Sequence, residues 1–213
     1  MKKLALSLLF ISSLAWAVGE EQPTEEALAP TADTPTTQEA QPQQPQLVQH
    51  TQKFDDWAVS CFYEKKDDLP ATQGILRNCQ TAHIFQTADQ KQIMRMYMVF
   101  EQDGTNIADR PSILFHVPAG VFLQPLITVK VDENDNISIP YNFCDQGGCY
   151  GGGPMADMLI DQFKKGGKTK VEFFDNRRQP ITLDFSLKGF TSALDYLTAQ
   201  TKDFGKAIEI PQN

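Results

Sequence analysis

The residues of this chain best suited to chemistry are its four cysteines, Cys61, Cys79, Cys144 and Cys149. Zinc ribbons use two C-x2-4-C knuckles, and Cys61 and Cys79 do not form one. A redox centre of the thioredoxin type needs C-x-x-C, which lowers a thiol pKa; Cys144 and Cys149 are spaced C-x4-C instead. Structural disulfides are therefore the expected use. Three connectivities are possible, and the two local pairings are preferred, Cys61 with Cys79 and Cys144 with Cys149. The first closes a loop of about 19 residues, for which chain entropy gives roughly 3 kcal/mol of stabilisation. The second closes a much smaller ring and should mainly fix local shape. Glycines between and after its sulfurs, in Cys144-Asp-Gln-Gly-Gly-Cys149-Tyr-Gly-Gly-Gly-Pro154, supply the positive φ angles that such a ring demands. Tyr141, Phe143 and Tyr150 flank this loop and are the candidate contact surface.

No catalytic set assembles around these residues. There is no G-x-S-x-G, and the histidines of the domain, His83 and His116, both fall inside apparent strands, where a packing role is expected. The glycines near Cys149 are not followed by the Gly-Lys-Ser/Thr of a phosphate loop. Asp132-x-Asn134-x-Asn136 opens like a calcium loop, but Ile137 stands where glycine is needed and Phe143 where the bidentate Glu belongs, so it reads as a hairpin turn. Asn136-Ile-Ser138 is formally a glycosylation sequon. Met94, Met96 and Met98 recur at period two without His or Cys at ligand spacing, so packing is their expected role. Paired acids such as Asp55-Asp56 and Asp67-Asp68 read as solvated turns, with nothing specific to a two-carboxylate hydrolase. The expectation is a non-enzyme without cofactor or metal.

The chain that carries these residues starts with Met1-Lys2-Lys3, an apolar run from Leu4 to Leu14 and the small-x-small site Ala15-Trp16-Ala17. Residues 1–17 are read as a secretory signal peptide; no later stretch approaches the roughly 20 apolar residues of a spanning helix. Residues 18–52 are rich in Pro, Gln, Thr, Ala and Glu and are read as a disordered linker. The leader takes two of the 19 basic residues and the linker six of the 27 acids, which leaves the domain 17 basic and 21 acidic residues, a net charge of −4. That balance speaks against nucleic acid and against electrostatic attachment to anionic lipid.

Residues 53–200 form the expected domain, with 201–213 an uninformative tail. Trp57, Val59, Cys61 and Tyr63 alternate along one side of a strand. Further strands are expected from Cys79 to Phe85, Gln92 to Phe100, Ser112 to Val117, Val121 to Val131 and Ile137 to Pro140, and later over Thr169 to Phe174 and Ile181 to Leu187. Helical spacing covers Met155 to Phe163, between Pro154 and Gly166-Gly167, and a short helix is expected over Thr191 to Leu197. Short strands at roughly ten-residue spacing point to a mainly β fold, an antiparallel β-sandwich of immunoglobulin-like or jelly-roll-like type with one or two short helices.

Trp57-Ala-Val-Ser-Cys61, Cys79-Gln80, Val117-Pro-Ala-Gly-Val-Phe-Leu123, Val131-Asp132, Cys144-Asp-Gln-Gly-Gly-Cys149 and Leu187-Lys-Gly-Phe190-Thr-Ser-Ala-Leu194 occur in this order. Together they resemble the invasion-associated locus B family over Phe54 to Leu197. The resemblance implies an exported bacterial β-sandwich connected in some pathogens with entry into host cells, and it supplies no catalytic residues. The expected role is a periplasmic, peripherally outer-membrane-associated or secreted protein that meets a protein or glycan partner on a host surface or in the envelope. The alternative is a periplasmic housekeeping or chaperone-like binding module.

Overall fold

The computed structural model describes residues 46–212. The signal-peptide reading of 1–17 and most of the linker reading lie outside the described residues. The chain runs through β1 (Leu47–Phe54), β2 (Trp57–Glu64), β3 (Gln73–Gln86), β4 (Gln92–Val99), the small hairpin β5 (Gln102–Asp103) and β6 (Asn106–Ile107), and β7 (Ser112–Val117). It continues through β8 (Ile127–Val131), β9 (Ile137–Ile139), β10 (Tyr141–Asp145), β11 (Gly148–Pro154) and α1 (Asp157–Lys165). β12 (Lys168–Phe174), β13 (Pro180–Ser186), α2 (Phe190–Gln200), a 3-10 turn (Thr201–Asp203) and β14 (Ala207–Glu209) complete it.

All pairings between these strands are antiparallel. The long sheet has the order β1-β2-β3-β4-β7-β11-β10, and the short sheet the order β13-β12-β8-β9. β3 is long enough to take two neighbours on one edge, β4 along residues 80–86 and β14 along residues 73–75.

Alternation builds the core. Trp57, Val59, Cys61 and Tyr63 of β2, Met94, Met96 and Met98 of β4, and Ile113, Phe115 and Val117 of β7 all turn to one side of the long sheet and are buried. Ile127, Val129 and Val131 of β8 and Val171 and Phe173 of β12 answer from the short sheet. An aromatic cluster ties the layers together. Trp57 meets His83 at 4.4 Å, Phe185 of β13 at 6.2 Å and Phe190 of α2 at 5.0 Å, and Phe163 of α1 packs on Phe190 at 5.1 Å. The Trp57 indole N–H donates to the Ser186 carbonyl at 3.0 Å, so its one polar atom is satisfied inside this cluster. α1 buries Leu159 and Phe163, and Lys164 and Lys165 in its last turn suit the negative end of the helix dipole. Gly189, at φ 90°, starts α2 where a side chain would collide with the Phe54 carbonyl.

Several boundaries differ from expectation. Most of β1 lies in the expected linker: its residues are polar apart from Leu47, Val48 and Phe54, and pairing with β2 more than burial recruits them. β3 begins at Gln73, inside the expected polar connection. Val121 to Pro125 is no strand; Phe122 makes one bridge to Phe174 and the Gln124–Pro125 bond is cis. The expected uninformative tail supplies β14 and the buried Ile210.

Candidate functional site

The Cys144–Cys149 loop is a hairpin within the long sheet, not a turn between sheet and helix. Cys144 of β10 stands directly opposite Cys149 of β11, and the two are bonded. Cys149 is buried while Cys144 is exposed. At the tip, the Asp145 carboxylate accepts the N–H groups of Gly147 at 2.8 Å and Gly148 at 3.1 Å, turning the chain as an Asx turn does. Gly148, at φ 148°, lies so close to β7 that an added Cβ would run into the Val117 carbonyl oxygen and His116 Nε2. The His116 Nε2–H donates to the Gly147 carbonyl at 3.1 Å, which fixes its tautomer and pins the tip to β7.

Register then assembles a row across five strands on the outward face of the long sheet. Phe143 stands opposite Tyr150, Tyr150 opposite His116, His116 opposite Arg95, and Arg95 opposite Ile84. The rings stack face to face, Phe143 on Tyr150 at 4.7 Å and 19°, and Tyr150 on His116 at 4.4 Å and 9°. Phe143 is 57% exposed and Ile84 56%. In the adjacent row Tyr97 stands opposite Leu114. Arg95 donates weakly to the Tyr97 hydroxyl at 3.5 Å; its Nε is buried without a hydrogen-bond partner among the described residues. None of the ion pairs among the described residues involves it. An antiparallel sheet open to water on one face ordinarily puts polar residues there, and this row does not follow that rule.

Tyr150 and Phe143 thus join the row, and Tyr141 does not. A register slip after Tyr141 sets it opposite Gly151, its side chain packs against the core, and burial pushes its hydroxyl pKa up to about 12. Arg95, His116 and Ile84 were not singled out for contact from the sequence. The available signal was parity: His116 lies between the buried Phe115 and Val117, and Arg95 between Met94 and Met96, so both must face outward.

The other residues with chemical potential are occupied structurally. Cys61 and Cys79 are directly opposite each other in β2 and β3, bonded and buried. His83 packs into the aromatic cluster, and burial holds its pKa below the ordinary value. Both carboxylate oxygens of Asp132 accept backbone N–H groups, from Gly167 and Lys168 at 2.9 Å each, which lowers its pKa and ties the β8–β9 turn to the start of β12. A cleft of about 170 Å³ lies between β9, β11 and α1. Its lining, including Ile113, Ile139, Met158 and Leu159, contains no titratable side chain, so it offers no acid or base. Among the described residues, no helix is long and apolar enough to cross a membrane.

The family profile described as Invasion associated locus B (IalB) protein matches residues 57–198. Two curated relatives, the invasion protein B homologs of Brucella abortus strains 2308 and 9-941, are each 25% identical over 150 residues, spanning 70% of this chain and 79% of theirs. The crystal structure of invasion associated protein B from Bartonella henselae superposes with a TM-score of 0.55 at 20% identity, covering 72% of this chain and 99% of that one. That likeness bears on the fold, a mainly β arrangement of antiparallel sheets with two short helices, and the profile covers more than half of the sequence. The chain belongs to the invasion associated locus B family.

Proposed function

We propose that this protein is an exported, non-enzymatic binding protein of the bacterial envelope or its surroundings, and that it supports interaction with a host cell through a protein or glycan partner. The observation that carries the reading is the outward row of Phe143, Tyr150, His116 and Arg95, its three rings stacked and fixed by a covalent hairpin, with Phe143 exposed at its end. Aromatic and arginine side chains held rigid on a surface are the usual anchors of recognition, because little conformational entropy is lost when they engage. The family name and the names of the Brucella and Bartonella relatives support the host-cell side of the reading. Two cross-strand disulfides suit an oxidising compartment outside the cytoplasm.

The test is a deletion strain assayed for host-cell entry, complemented with the wild-type gene and with Phe143→Ala/Tyr150→Ala. Restored entry with the wild type only is the expected result. Surface protease shaving accompanies it. A protein that is never surface-exposed, in a strain that enters cells normally, refutes host contact and favours an envelope-housekeeping module.

A further inference from the structure

We infer that the outward row binds an acidic oligosaccharide of the host cell surface, one whose sugars carry carboxylates. This rests on the host-contact reading above and names the chemistry of its partner. β11, β7 and β4 are each paired on both sides along the row, while β10 ends the sheet beyond Phe143 and β3 at Ile84 is paired with β4 alone. Across Tyr150, His116 and Arg95 an extended peptide therefore finds no free backbone edge to extend, and recognition there must come from side chains standing off the sheet.

Those side chains divide the work. Phe143 ends the ring stack with its outer face free, being 57% exposed, and a bare aromatic face suits the apolar C–H face of a sugar. Tyr150 backs that ring at 4.7 Å and is itself backed by His116 at 4.4 Å. Arg95 is the charged member of the row. The chain carries a net charge of −8, yet this guanidinium has no carboxylate partner among the described residues. A cation without an ion-pair partner, in line with an aromatic strip whose nearby carboxylate, Asp145, is taken up by the N–H groups of Gly147 and Gly148, is complementary to an anion, and guanidinium binds carboxylate as a planar two-pronged fork. From Phe143 to Arg95 is three strand spacings, about 14 Å, so one oligosaccharide of a few residues can place a ring on Phe143 and a carboxylate at Arg95.

The experiment measures binding of the purified full-length secreted chain to three immobilised probes: sialylated and glucuronate-containing oligosaccharides, their neutral counterparts, and polyglutamate. It also measures binding to cultured host cells before and after enzymatic removal of acidic sugars. The expected result is selective binding to the acidic saccharides, weakened about tenfold or more by Arg95→Gln and by Phe143→Ala. Arg177→Gln, the same charge change on the β12–β13 turn, leaves it unchanged, and removal of acidic sugars abolishes cell binding. Thermal melts accompany each variant. If Arg95→Gln does not fold, Phe143→Ala and Arg95→Lys decide, the latter keeping charge while losing the fork and so weakening binding.

Equal binding to neutral sugars or to polyglutamate overturns the inference, as does indifference to the variants. Cell binding that survives removal of acidic sugars overturns it while leaving host contact standing. No cell binding at all removes both.

Discussion

The two disulfides join strands in the same manner, Cys opposite Cys across an antiparallel pair, in opposite surroundings. Cys61–Cys79 joins two interior strands of the long sheet, with both residues buried on the same face as Trp57 and Tyr63. Cys144–Cys149 lies at the edge, half in water, and the residues it positions face outward. The first bond holds the core that makes a fold possible. The second holds a surface whose order the core alone does not provide, because β10 has a single neighbouring strand.

This contrast can be broken experimentally, and the largest effect belongs to the buried region. Trp57→Ala removes the hub of the aromatic cluster and should cost about 3–5 kcal/mol in denaturant unfolding; a loss below 1 kcal/mol would show that the cluster is not the keystone described. Next come the paired cysteine variants. Cys61→Ala/Cys79→Ala should cost about 3 kcal/mol and Cys144→Ala/Cys149→Ala about 2 kcal/mol, following the lengths of the loops they close. Reversal of that order would place the stabilising bond at the edge. Graded reduction followed by peptide mapping should open Cys144–Cys149 first, since an attacking thiolate can reach an exposed sulfur; simultaneous opening would mean that the hairpin is no more accessible than the core.

A smaller effect concerns His83. Burial lowers its folded pKa below the unfolded value of 6.5, so the folded state favours the neutral ring. That contribution is complete above pH 6.5 and is lost as pH falls toward the folded pKa. Melting temperature should therefore decline between pH 7 and 5, and His83→Phe should flatten the decline; an unchanged slope would exonerate the imidazole. Smallest of all, Phe143→Ala should shift stability by no more than about 0.5 kcal/mol. A larger loss would mean that the ring stack supports the fold and does not merely stand on it.

What could be read from the sequence follows the same division. The strands whose inner positions are wholly apolar, such as Trp57 to Tyr63, Met94 to Met98 and Ile127 to Val131, announce themselves because burial selects residue types at period two. β1 and β14 do not. Their residues are held by backbone pairing, which leaves little trace in composition, and one buried His50 or Ile210 is too sparse a signal. Val121 to Leu126 errs the other way. It is apolar enough for a strand but packs as a loop, with Arg178 over the Phe122 ring at 4.8 Å. Of the surface row, Phe143 and Tyr150 were legible by residue type beside the cysteines. His116 and Arg95 were not, because only strand register brings residues nearly thirty and nearly fifty positions upstream of Cys144 into line with them.

The sharing of one edge of β3 between β4 and β14 has a consequence for the order of assembly. β4 follows β3 almost at once, so the upper half of that edge can zip as soon as a hairpin forms. The lower half waits for residues 207–209, more than 130 positions later. Contacts of such sequence separation are slow to form, because the entropy of closing the long loop precedes any gain from them. A chain emerging from its N-terminus therefore keeps this edge open until nearly all of the domain is available, and closing it is a natural last step of folding.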